Sequence, residues 1–367
     1  MPHHLAGKVQ AAYRGHIYKS ESLNGITVHR TWVYAASGTG LRRMLNYLSF
    51  TATCLLGLFL SKKADYVFVE SPPLFLCLPA QLVAFLRGSR VIFNVADLWP
   101  DSVRELGVLK EGTTLRIATS LESWAYRKAY FVNSVTHGIS NILKTEKHVP
   151  DRKLLYLPNG IDVGQFFPRQ PDTALLERFN VAERKVFLYA GTHGVAQGLE
   201  TIIEAARLLH DSPAMFLFIG DGSKKTILQA LVRHYQLNNV VFMDPQPLSE
   251  MPKYFSVAYA SIVPLVKSEL FKAARPSKIM PSLASGVPVI YSGEGESVTF
   301  VTERGVGLAV RPESPGELRD AIQHLVVHPG LRDEMGSRGR EVTVKEFSWQ
   351  TIVGNWLSSL TAKAAEC

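Results

Sequence analysis

Cysteine is scarce in this sequence, which contains only Cys54, Cys77 and Cys367 among its 367 residues and no C-x-x-C pair. This scarcity excludes a disulfide framework and a zinc site built from clustered thiols, and it predicts a reducing, cytoplasmic compartment. The opening MPHHLAGKVQ lacks the apolar run of a secretory signal peptide. Low-complexity tracts are also missing, and 46% hydrophobic against 20% charged residues exclude a disordered or fibrous chain.

Three nucleotide- and metal-binding signatures are missing as well. The sequence has no complete G-x-G-x-x-G and no G-x-x-x-x-G-K-[ST], so it lacks both a dinucleotide fingerprint and a P-loop. It has no D-x-D, the paired carboxylates that hold Mg²⁺ or Mn²⁺ beside a nucleotide diphosphate. We therefore expect no metal and no bound cofactor.

Acidic residues are few in the first part of the chain. Residues 1–64 contain eight Lys and Arg but only Glu21 as an acid, while residues 156–367 are nearly balanced. Such asymmetry predicts an anionic partner for the first half. Nucleic acid is disfavoured because no binding module or aromatic-interleaved basic ladder is present, which leaves an anionic membrane surface.

One long apolar run is present, Met44–Leu60, between the basic pairs Arg42-Arg43 and Lys62-Lys63. Its length is at the bottom of the membrane-spanning range, and polar residues interrupt it. Two interpretations remain open: a helix packed in the core, or a helix on the membrane surface. The second predicts reversible peripheral binding that weakens as salt rises.

Strand-like and helix-like segments alternate along the whole chain, and its length predicts two domains. Regular alternation of this kind indicates parallel sheets covered by helices, so we expect an α/β fold of two doubly wound domains with a cleft between them. The predicted boundaries are 1–157 for the first domain, 158–346 for the second, and 347–367 for a closing helix. The predicted strands are Ile26–Tyr34, Tyr66–Glu70, Arg90–Val95, Ala129–Val135, Leu154–Leu157, Lys185–Ala190, Met215–Ile219, Val240–Met243, Ala260–Val263 and Val287–Ile290.

Ligands of such sheets bind at the carboxyl ends of the strands, so the loops there are the candidate site. The strand Lys185–Ala190 runs into Gly191-Thr192-His193-Gly194, and the next strand runs into Gly220-Asp221-Gly222. Glycines between a strand and a helix expose backbone N–H groups to an anion such as a phosphate, although tight turns use the same residues.

A third candidate is the basic segment Lys272–Gly286, KAARPSKIMPSLASG. Pro276 and Ser277 can start a helix, which would gather Lys272, Arg275 and Lys278 at its positive end and create a diphosphate site. The alternative is a solvated basic turn. In the first half, Asp97 follows a strand and is the candidate base for a hydroxyl nucleophile, whereas we interpret Asp101 as a helix cap. Glu70 ends the neighbouring strand.

Taken together, the motifs resemble those of glycosyltransferase family 4, in its WbuB-like branch for bacterial surface polysaccharides. The resemblance runs from about Tyr13 to the C-terminus and is carried by DLWPDS, YLPNGID, LYAGTHGVAQGLETIIEAARLL, FIGDG, PLSEMPKYF and RPSKIMPSLASGVPVI. It implies a GT-B fold of two Rossmann-like domains, with the donor held mainly by the second and the acceptor by the first. It also implies metal-independent transfer with retention, and a closing helix that crosses back onto the first domain.

Two departures from the family pattern affect the donor site. The opening βα segment with its glycine-rich loop is expected to be absent from the first domain. In addition, Pro281 occupies the position of a glutamate that binds the donor ribose in the family, and a proline cannot accept those hydrogen bonds. The alternative hypothesis is therefore a catalytically degenerate protein that binds a partner enzyme or the membrane.

The leading expectation is a glycosyltransferase that moves a sugar from a nucleotide-sugar onto a lipid-linked saccharide. We expect the sugar to be an aminosugar or deoxysugar and the nucleotide to be UDP. The acceptor would be a polyprenyl-diphosphate saccharide at the inner face of the cytoplasmic membrane, as in O-antigen, capsule or exopolysaccharide synthesis. Asp97 is the candidate catalytic residue. The candidate donor-binding residues are Gly191, Thr192, His193, Gly194, Gly220, Asp221, Gly222, Lys272 and Lys278.

Overall fold

The computed structural model describes residues 7–36, 41–105, 107, 112–180 and 183–366. The chain forms two compact units. The first consists of Met1–Val135 and Ile139–Tyr156, and the second of Thr136–Gly138 and Leu157–Cys367.

The first unit is built on a parallel sheet of four strands in the order β3-β4-β5-β6. Its two central strands are buried over most of their length, as expected where helices cover a parallel sheet. The elements of this part of the chain are β1 (Tyr18–Leu23), β2 (Ile26–Thr31), α1 (Leu41–Leu60), β3 (Tyr66–Ser71), α2 (Cys77–Arg87), β4 (Arg90–Val95), α3 (Asp101–Glu105), α4 (Thr113–Lys128), β5 (Phe131–Ser134), α5 (His137–Thr145) and β6 (Leu154–Tyr156).

A separate antiparallel hairpin of β1 and β2 precedes that sheet. Asn24 and Gly25 connect the strands with φ of 52° and 81°, the left-handed conformation that a two-residue hairpin turn needs. The prediction of a single strand over Ile26–Tyr34 is wrong in two respects: the strand ends at Thr31, and it has an antiparallel partner.

The apolar run forms α1, and the interpretation of this helix as a core element is wrong. Only Asn46 and Gly57 of its 20 residues are buried, while Leu41 is 76% exposed. Among the described residues, α1 is the one helix long and apolar enough to span a membrane by length and composition.

The second unit contains a six-stranded parallel sheet in the order β12-β11-β10-β7-β8-β9. This is the doubly wound 3-2-1-4-5-6 arrangement, whose order reverses between β7 and β10. The elements are α6 (Thr173–Phe179), β7 (Lys185–Ala190), α7 (Glu200–Leu208), β8 (Ala214–Ile219), α8 (Lys225–His234), β9 (Val240–Met243), α9 (Met251–Ser256), β10 (Ala258–Pro264), α10 (Ile279–Ala284), β11 (Val289–Ser292), α11 (Glu296–Glu303), β12 (Gly307–Val310), α12 (Pro315–Val327), α13 (Pro329–Glu346) and α14 (Trp349–Ala365).

Both faces of this sheet are packed. Successive residues of a strand point to opposite faces, so Phe187 lies in one apolar cluster and Leu188 in the other, and both are almost fully buried. The sheet is therefore fixed from both sides, and the loops at its carboxyl edge are held on a rigid base.

Candidate functional site

The candidate site of the second unit lies at the carboxyl edge of its sheet, where the strand order reverses. The loop after β7 begins at Gly191 and the loop after β8 begins at Gly220, and β7 and β8 pair in register up to Ala190 and Ile219. Strands on opposite sides of such a reversal lead their loops apart, and this opens a crevice for a ligand.

Gly191 and Gly220 are required to be glycine by their backbone conformation and their surroundings. Their φ angles are 148° and 151°, which other residues rarely adopt. A Cβ on Gly220 would lie 1.9 Å from the carbonyl oxygen of Gly191, and a Cβ on Gly191 would lie 2.8 Å from the Lys278 amine. The two loops and Lys278 therefore meet at close range.

Backbone hydrogen bonds lock the two loops together around His193. The His193 N–H donates to the Asp221 carbonyl at 2.8 Å, and the His193 carbonyl accepts from the Lys224 N–H at 2.9 Å. A Cβ on Gly222 would lie 2.3 Å from the His193 carbonyl oxygen. Asp221 itself is exposed and its carboxylate accepts from the Gly222 N–H at 2.8 Å, so that side chain shapes the turn.

The imidazole of His193 is fully buried and unsatisfied. Neither ring nitrogen has a hydrogen-bond partner among the residues that the structure describes. The ring packs against Tyr189, Phe218 and Phe242 at centroid distances of 5.7, 6.1 and 6.0 Å. Burial, followed by the charge of Lys225, lowers the pKa of His193 to about 4, so the imidazole is neutral near pH 7. A buried polar group without a partner is costly, and this one can accept or donate one hydrogen bond to a ligand.

The amine of Lys278 is the second polar group of the site. It donates to the Tyr189 hydroxyl at 3.1 Å and lies 4.6 Å from the centre of that ring. Within the described part of the chain no carboxylate forms an ion pair with it. Burial lowers its pKa to about 8, so it is still mostly charged at pH 7. A buried ammonium group with no counter-ion is an anion-binding group.

Lys272 and Arg275 differ from Lys278 because carboxylates pair with both of them, which the predicted basic cluster did not include. The Lys272 amine pairs with Glu269 at 2.6 Å and lies 3.8 Å from Glu294. Arg275 is buried, 3.6 Å from Glu296. These carboxylates neutralise both side chains, and only Lys278 keeps an unbalanced charge.

The helices near the site also differ in detail from the prediction. The residue after His193, Gly194, donates its N–H to the Gln197 side chain at 3.1 Å. Helix α7 begins only at Glu200, after a short 3-10 turn, so its N-terminus does not directly follow the glycines. Thr192 contributes its carbonyl, which accepts from the Tyr189 hydroxyl at 2.5 Å.

Pro281 is the third residue of α10, which begins at Ile279. A residue in the first turn of a helix has no intrahelical partner for its N–H, so proline is accommodated there without loss of a helical hydrogen bond. The proline thus changes the chemistry available at this position but does not disrupt the helix.

In the first unit, Asp97 follows β4 and is partly buried. Its carboxylate accepts from the Ser102 hydroxyl at 2.9 Å. Burial raises the pKa of Asp97, and the Ser102 hydrogen bond opposes this shift. A carboxylate with a raised pKa is a stronger base than a solvated one, which suits proton abstraction from a hydroxyl group.

A buried charged network lies in the same unit, and no motif in the sequence predicts it. The Lys147 amine contacts Asp101 at 2.6 Å and Glu122 at 2.9 Å, and Glu122, which is fully buried, also accepts from Tyr126 at 2.8 Å. Asp101, which we interpreted as a helix cap, is the first residue of α3, and its carboxylate pairs with Lys147 at 2.6 Å and Arg104 at 3.6 Å. The network fixes α3 and leaves Asp97 without a cationic partner among the described residues.

The described part of the chain contains no group of three or more His, Cys, Asp and Glu side chains that could together hold a metal ion. The arrangement in the second unit is suited to binding an anion through Lys278, His193 and the glycine loops.

Two family models match the chain. The Glycosyl transferase 4-like domain matches residues 9–160, and Glycosyl transferases group 1 matches residues 176–342. Among curated proteins, the chain is similar to WcaI of Escherichia coli K12, named a colanic acid biosynthesis glycosyl transferase, at 27% identity over 340 residues, 89% of this chain and 83% of WcaI. It is also similar to the glycosyltransferase WbjE of Pseudomonas aeruginosa, at 25% identity over 272 residues, 72% of this chain and 67% of WbjE.

Solved structures share the fold. Sucrose-phosphate synthase from Thermosynechococcus elongatus matches with a TM-score of 0.73 and 18% identity, covering 95% of this chain and 86% of that protein. Anabaena HepE, solved in complex with UDP and glucose, matches with a TM-score of 0.69 and 16% identity, covering 88% and 83%. At these identities the likeness shows the fold alone, which is the predicted GT-B fold of two Rossmann-like domains.

Proposed function

The chain belongs to glycosyltransferase family 4, and from this we propose that it transfers a sugar from a nucleotide-sugar donor to a lipid-linked saccharide in bacterial surface-polysaccharide synthesis. The naming of WcaI for colanic acid biosynthesis supports the polysaccharide context. UDP bound to HepE, which shares the fold, supports a UDP-linked donor. An aminosugar or deoxysugar as the transferred group follows from the resemblance to the WbuB-like branch.

One observation carries the donor half of this proposal: beside two glycine loops, the buried His193 ring has no hydrogen-bond partner and the partly buried Lys278 amine has no carboxylate partner among the described residues. A nucleoside diphosphate supplies negative oxygens for both side chains. We infer that the Lys278 ammonium stabilises the charge that develops on the diphosphate as the glycosidic bond breaks, while the neutral His193 donates one N–H to a phosphate oxygen. In this scheme no metal ion is needed to assist departure of the diphosphate, and the sugar is transferred with retention.

For the acceptor half we propose Asp97 as the base that receives the proton of the acceptor hydroxyl. Its raised pKa makes the carboxylate suitable for this task, and the Ser102 hydroxyl orients it. The acceptor would be a polyprenyl-diphosphate saccharide, which places the enzyme on the inner face of the cytoplasmic membrane as a peripheral protein. The excess of basic residues in 1–64 supports an anionic surface as its partner.

Calorimetric titration with a panel of UDP-, GDP- and dTDP-sugars tests the donor half. Binding of one nucleotide class, without added metal, is the expected result, and failure of every donor to bind would overturn the proposal. Donor binding without transfer to any polyprenyl-diphosphate saccharide would instead support the degenerate alternative, in which the chain serves as a binding subunit.

Pro281 allows a sharper test of that alternative. Position 281 lies in the first turn of α10, where a glutamate is well tolerated. If the donor site is otherwise intact, Pro281→Glu should bind the donor at least tenfold more tightly, because one hydrogen bond to a charged group is worth about 1.5–3 kcal/mol. Pro281→Ala is the matched control, since it removes the ring without adding a carboxylate. Equal affinities for the two variants would show that no ribose contact is available there.

A further inference from the structure

Helix α1 exposes an apolar stripe along its whole length. Its exposed residues recur at spacings of three and four, so they lie on one face of the helix. They are all apolar except Arg42 at the first turn, and the four central leucine and phenylalanine side chains are 42–46% exposed. The stripe consists of Leu41, Leu45, Leu48, Ala52, Leu56 and Phe59.

Three polar side chains of α1 form hydrogen bonds with the segment that follows the hairpin. Asn46 donates to the Tyr34 carbonyl at 2.7 Å, and Ser49 accepts from the Tyr34 N–H at 2.9 Å. Thr53 donates to the Trp32 carbonyl at 2.5 Å. These polar groups are thus satisfied inside the protein, while the exposed side of the helix is apolar. A helix whose outer side meets water has the opposite arrangement, with polar residues outside and apolar residues inside.

Helix α2 repeats this pattern beside α1. Its exposed side chains are Leu78, Leu82, Phe85 and Leu86, and Phe85 is 84% exposed. Arg87 at the end of α2 joins the two helices by donating to the carbonyl of Phe59 in α1, at 2.5 Å, and to the carbonyl of Ser61 just after α1, at 2.7 Å. The two stripes together are called the apolar face below.

Not every exposed helix of the described residues shares this property. On α12, for example, the exposed positions include Asp320, Gln323 and His324. Ten exposed apolar side chains on two helices that pack against each other are more than scattered surface leucines produce, and such a concentration marks an interaction site.

The charge around the apolar face identifies its partner. Residues 22–64 contain no acidic residue. Arg42 and Arg43 lie in the first turn of α1, and Lys62 and Lys63 follow its last residue. Apolar side chains flanked by cations match acyl chains below anionic headgroups, whereas a protein partner would have no need of cations at both ends.

We propose that the apolar face is a bilayer-insertion surface: α1 and α2 lie in the membrane interface, with both stripes among the acyl chains and the basic pairs at the headgroups. Helix α1, about 30 Å long at 1.5 Å per residue, lies along the membrane because Asn46 and Thr53 bind it laterally to the segment after the hairpin. This inference deepens the proposed function, since it supplies the contact with a lipid-linked acceptor, but vesicle binding needs neither donor nor acceptor.

The test is co-sedimentation of the full chain with phosphatidylglycerol–phosphatidylcholine vesicles at low salt and at about 0.5 M salt, where surface charge is largely screened. The double variant Leu48→Gln/Leu56→Gln removes two stripe side chains without changing the charge. We expect it to partition at least tenfold less than the parent, at both salt concentrations. The matched control is Ile227→Gln/Val327→Gln, whose parent side chains are 54% and 70% exposed on the second unit. It should bind like the parent.

Depth is measured with Phe85→Trp and acyl-chain-brominated lipids. Extra quenching relative to an Ile227→Trp control supports insertion. The inference is overturned if both double variants bind the vesicles equally, or if the parent protein loses all binding at high salt. It is also overturned if carbonate fails to extract the parent protein from the vesicles, because that result would mean that α1 spans the bilayer. It is also overturned if the parent is a lipid-independent dimer that the stripe variant alone dissociates. Vesicle binding without sugar transfer refutes the proposed function instead and leaves this inference standing.

Discussion

Lys278→Met is expected to make the protein more stable and less able to bind its donor. The ordinary lysine pKa of 10.5 falls to about 8 at this position because the amine is buried. This difference corresponds to about 3 kcal/mol against the charged form. Methionine keeps the length of the side chain but carries no charge. It loses the hydrogen bond to Tyr189, worth about 1 kcal/mol, so the net gain in the free energy of unfolding at pH 7 should be about 2 kcal/mol.

The sign of the pH dependence is a further check. A lysine whose pKa is lower in the folded state than in the unfolded state reduces the free energy of unfolding. The full reduction is present below about pH 8, and it is relieved as the pH rises from 8 toward 10.5. The stability difference between Lys278→Met and the parent should therefore shrink at about pH 9.5. Thermal unfolding at pH 7 should show a midpoint several degrees higher for the variant, at about 2–4 °C per kcal/mol for a domain of this size.

Donor affinity should move in the opposite direction. Loss of a charge-assisted hydrogen bond costs about 1.5–3 kcal/mol, so calorimetry should show a donor Kd at least tenfold higher. Lys345→Met, at an exposed position on α13, is the control and should change neither property. If Lys278→Met were less stable than the parent at pH 7, or bound the donor normally, the assignment of Lys278 as a desolvated anion-binding group would be refuted.

Two other substitutions probe the remaining parts of the site. Gly220→Ala would place a Cβ 1.9 Å from the Gly191 carbonyl oxygen at a φ of 151°. It should therefore lower the free energy of unfolding, measured in urea, by more than about 2 kcal/mol. An unchanged urea midpoint would contradict the described loop geometry. Asp97→Asn should reduce the transfer rate by about 10² or more while donor affinity stays the same, since only the base is removed. In the parent, activity should fall as pH drops through the raised pKa of Asp97, and a variant with parental rate would exclude Asp97 as the base.

The alternation of strands and helices was predictable because it depends on local sequence. The predicted strands Arg90–Val95 and Lys185–Ala190 are confirmed with the same bounds, since each is an apolar, β-branched or aromatic run between polar segments. The family and the GT-B fold are likewise confirmed. The hairpin was missed although Asn24-Gly25 is a strong hairpin signal, because its strands are short and half polar.

The candidate donor site was only partly predictable. The glycine loops could be located because glycine between a strand and a helix is visible in sequence. Which cation has no carboxylate partner was only partly visible. Glu269, the closer partner of Lys272, is three residues away along the chain, whereas Glu296, which pairs with Arg275, lies after another strand of the sheet. The burial of His193 depends on aromatic residues from three different strands.

Helix α1 shows most clearly what sequence by itself determined and what only the tertiary structure decided. The sequence determined that an apolar helix with basic ends would form, since these properties belong to consecutive residues. Only the tertiary structure decided which side faces outward: Asn46, Ser49 and Thr53 find backbone partners at Trp32 and Tyr34, so the leucines are left exposed. Hydrogen bonds to a segment distant along the chain overrode the usual preference for apolar burial, because an unsatisfied polar group inside the protein costs more than an exposed leucine does.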